Sequence, residues 1–214
     1  MARVCALIKE YGIPLEPWPA SSMEQQFSSF NHQGIIAWTA PLPTYTETHL
    51  ETLWQCAPKP RLALMLDGIQ DPHNLGACLR TADLAGVAMV IIPKDQSVSL
   101  TPAAIKVASG AASFVPLVTV TNLVVTLKRF QKFGAWIYGA AGEATKTLYD
   151  ESYPENVVLV MGSEGKGLRR LTREHCDVLI KIPTRGHIES LNVSVATGIC
   201  LFEIIRQHQT SCSQ

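Results

Sequence analysis

The stretch Leu62-Ala63-Leu64-Met65-Leu66, followed by Asp67-Gly68-Ile69-Gln70-Asp71-Pro72-His73-Asn74-Leu75-Gly76-Ala77-Cys78-Leu79-Arg80-Thr81-Ala82, reads as a buried strand, a polar turn and a helix in direct succession. The apolar run shows no alternation, so the strand it predicts is to be covered on both faces, as in a parallel sheet. The helix is built from small and apolar residues, with Asn74 suited to cap its first turn and Arg80 roughly two turns in. By local rules alone Asn74 is a plain cap or a site residue, and Arg80 is a solvated cation or one aimed at a ligand.

The same rhythm continues outward. Apolar runs at 88–92, 114–116, 135–138, 157–161 and 178–182 read as further strands, several of them separated by helical patterns. Their alternation predicts an α/β fold, a mostly parallel sheet with helices on both faces. A last helix from Ser194 to about His208 places Val195, Ile199, Phe202 and Ile205 on one stripe, for a core or a subunit interface. Upstream, a helix-like stretch at 4–11 is broken by Gly12-Ile13-Pro14, and 34–38 reads as strand-like. Residues 1–40 are therefore expected to form a small partial α/β segment. Pro41, Pro43, Pro58 and Pro60 mark 41–59 as a linker around a short helix, leaving 60–214 as the main domain.

Composition narrows the function classes. Among 214 residues, 47% are hydrophobic and 17% charged, which excludes a disordered chain. No apolar run approaches the ~20 residues of a membrane span, and the first residues lack a signal-peptide pattern, so a cytoplasmic protein is expected. Eighteen basic and eighteen acidic side chains leave no net charge, so any nucleic-acid site must be a local basic patch. The six cysteines are scattered, with no pair or Cys/His cluster at metal spacing, and are expected as reduced thiols without a metal.

Two more loops follow predicted strands and, with the first, are expected to gather beyond the strands' carboxyl ends. One is Gly162-Ser163-Glu164-Gly165-Lys166-Gly167-Leu168-Arg169-Arg170. Its three glycines suit either a tight turn or a close backbone approach to a ligand, and its cations either a solvated face or phosphate contact. It matches neither the Walker loop nor the dinucleotide fingerprint, which disfavours a nucleotide triphosphatase or a dehydrogenase. The other runs from Ile182-Pro183-Thr184-Arg185-Gly186-His187 to Ser190-Leu191-Asn192, presenting a hydroxyl, an apolar wall and an amide before the last helix. His187 has no partner visible in the sequence and is read as non-catalytic.

Taken in order, Asn74-x-Gly76-Ala77-x-x-Arg80-Thr81-Ala82, Gly162-Ser163-Glu164-Gly165-x-Gly167, and Ile182-Pro183 with Ser190-Leu191-Asn192-Val193-Ser194 resemble the three motifs of the SpoU (TrmH-like) RNA 2′-O-ribose methyltransferases of the SPOUT superfamily. The resemblance covers about residues 60–207. It implies a C-terminal trefoil knot, a homodimer, and S-adenosylmethionine held in the knot, with Gly162, Ile182 and Leu191 lining its pocket. It also implies an RNA substrate and a catalytic group of Asn74, Arg80, Glu164, Ser190 and Asn192. An arginine with a pKa above about 12 is awkward as a base, so Arg80 is read as an activator that orients a substrate phosphate. Lys166, Arg169, Arg170 and Arg185 are the candidates for RNA backbone contact. The stretch His32-Gln33-Gly34-Ile35-Ile36-Ala37 is similar to the end of the RNA-binding domain of family members that modify a guanosine of the large ribosomal RNA. Such a domain is longer at its start, so its first strands are expected to be missing here. Transfer-RNA methyltransferases share the three motifs, and an RNA-binding or ribosome-assembly factor that kept the fold without the reaction is the alternative of another class.

Overall fold

The computed structural model describes residues 2–29, 32–187 and 190–211. The chain divides into two units, Met1–Pro41 and Leu42–Gln214. The division falls at the start of the proline-rich 41–59 segment, because that segment takes part in the larger unit's fold. Strand β1 (Tyr45–Thr46) joins the sheet, and helix α3 (Leu50–Cys56) buries Leu50 and Trp54. Trp54 meets Phe130 edge to face at 5.1 Å.

The remaining strands of the larger unit are β2 (Arg61–Asp67), β3 (Met89–Pro93), β4 (Leu117–Val120), β5 (Trp136–Ala140), β6 (Lys146–Thr147), β7 (Asn156–Gly162) and β8 (Val178–Lys181). They form one sheet in the order β1-β4-β3-β2-β7-β5-β8-β6, and every pairing is parallel. Helices α4 (Pro72–Leu84), α5 (Pro102–Ala108) and α8 (Val193–Ser211) cover one face, and α3 and α6 (Leu123–Lys132) the other. The two-residue period of β2 explains why its apolar run does not alternate. Leu62, Leu64 and Leu66 pack under Leu75, Leu79 and Leu201, while Ala63 and Met65 point to Leu127 and Phe130. A short helix, α7 (Arg170–Glu174), links β7 to β8.

Local chemistry sets the helix ends. Asp71, not Asn74, caps α4: its side chain accepts from the His73 amide at 2.9 Å, with Pro72 in the first helical turn. Asn74 is thereby a helical residue with its side chain free for other partners. Gly76, in mid-helix, is required by packing, since a Cβ there would lie 2.4 Å from the Ala104 carbonyl oxygen of α5. That contact offsets the roughly 1 kcal/mol that glycine costs a helix.

Two expectations change, and a third is narrowed. The run 114–116 is not a strand: a 3-10 turn at Ala111–Ser113 precedes β4, which starts after Pro116, a residue with no N–H to donate to a ladder. Residues 34–38 form no strand, since Gln33 and Gly34 take left-handed turn conformations. Helix α8 is apolar on more than one side, and its buried stripe is Val193, Thr197, Cys200, Leu201 and Ile204. The stripe expected to pack is the outer one: Val195 and Phe202 are about half exposed, and Ile199 and Ile205 are only partly covered.

The smaller unit holds α1 (Ala2–Glu10) and α2 (Ala20–Phe27), with Phe27 between Trp18 at 6.1 Å and Trp38 at 5.9 Å. No described helix is long and apolar enough to cross a membrane. Cys78 and Cys200 are buried and Cys5 and Cys56 exposed, all as free thiols; Cys212 lies outside the described residues.

Candidate active site

Strand order reverses at the centre of the sheet. From β2 the chain builds outward through β3 and β4, whereas β7, its other neighbour, leads to β5 and β8. A crevice outside the carboxyl ends of β2 and β7 is where an open parallel sheet gathers ligands. Asp67 and Gly162, the last residues of the two strands, are partners in register there.

The loop after β7 folds back on the strand that made it. The Ser163 amide donates to the Gly167 carbonyl at 3.1 Å, and the Gly167 amide returns a bond to the Ser163 carbonyl at 2.9 Å. Gly165 and Gly167 have φ of +77° and +65°, which a side chain would strain. A Cβ on Gly162 would lie 2.1 Å from the Gly167 carbonyl carbon. The glycines thus let the hairpin close, and Glu164 stands at its turn.

Glu164 meets residues from both other loops. Asn74 Nδ2 donates to Glu164 Oε1 at 2.9 Å, and Asn192 Nδ2 donates to the same oxygen at 2.8 Å and to Asn74 Oδ1 at 3.0 Å. Asn192 Oδ1 accepts from the Ser194 amide at 2.9 Å and its hydroxyl at 2.6 Å, capping the start of α8. One side chain therefore uses both amide protons to join two loops and its oxygen to start a helix. Asn74 is buried, so its bonds form away from bulk water and leaving them unmade would be costly.

The expected site residues are not all brought together. Arg80 is exposed and lies six residues beyond Asn74, about 9 Å along α4 and roughly 240° around it. It is outside the hydrogen-bonded cluster, as is exposed Ser190. Gly162 and Ile182 follow the same side of the sheet, at the ends of β7 and β8, with β5 between them. Leu191 is 41% exposed beside Asn192. Lys166 and Arg185 are exposed. Arg170 pairs with Glu174 at 2.7 Å in a solvated i,i+4 contact. Arg169 is committed to structure: its amide donates to Asp67 Oδ2 at 2.9 Å, and its Nε pairs with Asp67 Oδ1, a carboxylate whose side chain is fully buried.

Two elements of this region were not foreseen. Asp67 was read only as the start of a turn, though a charged residue ending an apolar strand is itself a signal of a partner. Ala140-Ala141-Gly142, at the end of β5, joins the group because β5 lies between β7 and β8, and strand order is not written in periodicity. Beneath α4, burial pushes the Cys78 thiol up to about 11, and it lies 3.7 Å from Thr197 Oγ1. It is a packing residue rather than a nucleophile at neutral pH.

A parallel sheet with asparagine and glutamate joined across three strand-end loops defines an α/β protein of the SpoU class: residues 61–202 match the SpoU rRNA Methylase family, and the chain belongs to it. More particularly, it is 56% identical over 178 residues to the 23S rRNA (guanosine-2′-O-)-methyltransferase RlmB of Pseudomonas putida, covering 83% of this chain and 72% of that protein. Among solved structures, it is similar to an AdoMet-bound rRNA methyltransferase from Sinorhizobium meliloti (27% identity, TM-score 0.64, 72% of this chain and 59% of that one). It is also similar to the TrmH/SpoU tRNA modifying enzyme of A. aeolicus (30% identity, TM-score 0.64, 78% and 85%).

Proposed function

We propose that this protein methylates a guanosine ribose 2′-hydroxyl of 23S ribosomal RNA, with S-adenosylmethionine as the methyl donor. The observation that carries the reading is the Asn74–Glu164–Asn192 cluster, in which one residue from each motif meets the other two. The relatives named for that reaction supply the substrate.

The residues beyond β5, β7 and β8 suit S-adenosylmethionine. Ala140-Ala141, Gly162 and Ile182 offer backbone and small or apolar side chains, and half-exposed Leu191 offers a surface for a purine ring. When bound, the cofactor supplies a methyl group on a sulfonium. The chain's own work is to hold the ribose and manage its proton. Glu164, Asn74 and Asn192 form a rigid polar floor, exposed Ser190, two residues before Asn192, offers a hydroxyl, and exposed Arg80, outside that cluster on α4, orients a substrate phosphate that accepts the proton. Lys166, Arg170 and Arg185 contact the RNA backbone, while Arg169 contributes with the guanidinium atoms that Asp67 leaves over.

Other parts of the reading rest on packing and topology. The exposed outer stripe of α8, Val195, Ile199 and Phe202, with Leu191 nearby in sequence, supports a homodimer. The passage from β7 past β5 to β8, and the return of α8 onto α4, support the trefoil knot. Residues 1–41, with exposed Trp38 set edge to face against Phe27, serve as an RNA-binding segment. The protein works in the cytoplasm without a metal.

The test is transfer of labelled methyl from S-adenosylmethionine to RNA from cells lacking this protein, with the labelled nucleotide mapped. Label on one guanosine ribose of 23S RNA is expected, and label only in transfer RNA would overturn the substrate. Arg80→Ala is expected to abolish turnover while the cofactor still binds, and Leu191→Asp to weaken cofactor binding itself. Full activity of Arg80→Ala would refute the role given to that arginine.

A further inference from the structure

Beside the crevice, on the β3–β4 side, lies a cleft of about 480 Å³ whose walls include Pro93, Asp95, Thr121, Val124, Arg170 and Leu171. Its volume falls within the roughly 300–1,000 Å³ of small-ligand sites. A second, smaller hollow of about 110 Å³ lies between the ends of β2 and β7 and is lined by Ser163 and Lys166. Arg169 and Gln96 border both, so the two hollows adjoin along the carboxyl edge of the sheet, the smaller one lying at the loop that carries Glu164. Neighbouring strands are about 4.8 Å apart, so the ends of β3 and β4 lie roughly 5 and 10 Å from that of β2. That distance is within reach of the next nucleotide of an extended strand.

We propose that this cleft holds the RNA nucleotide adjacent to the methylated one, base inward and phosphate toward Arg169 and Arg170. The inference rests on the RNA-methylating function given above and adds a subsite that none of its three motifs contains. The charge layout sets the orientation. Arg169 is immobilised by the buried Asp67 carboxylate, which takes its amide and Nε, while its Nη1 reaches to 3.5 Å from Gln96 Oε1 at the border of the two hollows. Its remaining N–H groups are preorganised for a phosphate. Arg170 is tied only to Glu174 in an exposed pair, which exchanges readily for a phosphate. Asp95, a lining residue of the same cleft, repels a phosphate and, as a carboxylate, accepts hydrogen bonds, so it selects a base edge carrying an amino group, as in guanine, adenine or cytosine. Pro93, Val124 and Leu171 supply apolar surface for the base face.

Filling the cleft tests the proposal. Val124→Trp and Leu171→Trp approach it from α6 and α7 respectively, and each is expected to raise KM for RNA at least tenfold. Melting temperature, kcat at saturating RNA and calorimetric binding of S-adenosylmethionine are expected to hold. Lys128→Ala, elsewhere on α6, is the control and leaves KM unchanged. In parallel, RNA carrying photoreactive 6-thioguanosine beside the methylated nucleotide is cross-linked to the wild-type protein and the adducts mapped. Adducts at Pro93, Thr121, Val124 or Leu171 support the subsite; adducts only elsewhere overturn it, as does a wild-type KM in both tryptophan variants. Absence of methyl transfer by the wild type would instead defeat the parent function, and the cross-link map would still read the cleft.

Discussion

Replacing Asn192 by alanine removes a side chain that performs three tasks at once, and the loss can be worked out bond by bond. Its Oδ1 caps α8 through the Ser194 amide, a contact whose removal costs about 1 kcal/mol. Its Nδ2 satisfies Asn74 Oδ1, a group on a residue only 8% exposed; leaving that acceptor unpaired costs about 1–3 kcal/mol. Its bond to exposed Glu164 is largely replaced by water and adds little. The expected total is about 2–4 kcal/mol, which lowers the melting temperature by roughly 4–16 °C in a domain of this size and leaves the chain folded. Asn192→Asp separates the tasks, because it keeps the capping oxygen but turns the contact with Glu164 into a repulsion between carboxylates. Like alanine it cannot donate to Asn74 Oδ1, so it is expected to keep the helix cap yet lack methyl transfer. The decisive assay is a double-mutant cycle of Asn192→Ala with Glu164→Ala and Asn74→Ala, followed by thermal melting and by turnover. Coupling between contacting residues is expected at about 0.5–3 kcal/mol. Strict additivity in stability, together with normal turnover of Asn192→Asp, would refute the claim that this network fastens the three loops into one site.

Gly162→Ala is expected to cost about 1–3 kcal/mol and to abolish activity, because its Cβ would strike the Gly167 backbone at 2.1 Å and open the hairpin; normal turnover would show that the loop yields without consequence. Arg169→Ala strands the buried Asp67 carboxylate; a fully buried pair would cost about 3–5 kcal/mol, but Arg169 is 44% exposed and water can follow, so about 2–3 kcal/mol is expected, with partial recovery on adding Asp67→Asn. Urea melts of the single and double variants check this, and an equally unstable double variant would count against the pair. Burial raises the Cys78 thiol to about 11 and those of Cys176 and Cys200 to about 12, whereas unfolded thiols ionise near 8.5. The folded chain then binds more protons than the unfolded one, so this stabilisation is complete below about pH 8.5 and is lost as pH rises toward 11. Melting temperature is expected to fall above about pH 9 and to fall less steeply in Cys200→Ala; a flat profile to about pH 10.5 would refute it.

How much of this was legible follows from what each signal encodes. The β2–α4 unit was readable because its apolar run and its turn are local, and the strands at β3, β5, β7 and β8 followed from the same pattern. Asn74 stays open between cap and site residue in sequence because Asp71 and Asn74 are both capping residues, and only the structure shows that the Asp71 carboxylate meets the His73 amide. Pro41 and Pro43 looked like linker punctuation because the partners of β1 and α3 lie about 70 residues further on, in β4 and α6. The apolar positions of α8 were countable, but a helix apolar on two sides does not say which side meets the core.

The site shows the same division between local and distant information. Glycine spacing suits either a tight turn after β7 or a ligand's approach, and the reason for Gly162 is a backbone five residues on. Arg169 and Arg170 are consecutive and looked equivalent as phosphate contacts, but Asp67, more than 100 positions earlier, takes one of them for structure and leaves the other in solvent. That asymmetry is itself functional in consequence. Arg170 can be neutralised with little cost to folding and should report mainly on RNA affinity and its salt dependence, whereas neutralising Arg169 disturbs the loop that carries Glu164 as well as the hollows beside it. A comparison of the two charge-removing variants therefore separates what the cations do for RNA from what they do for the fold.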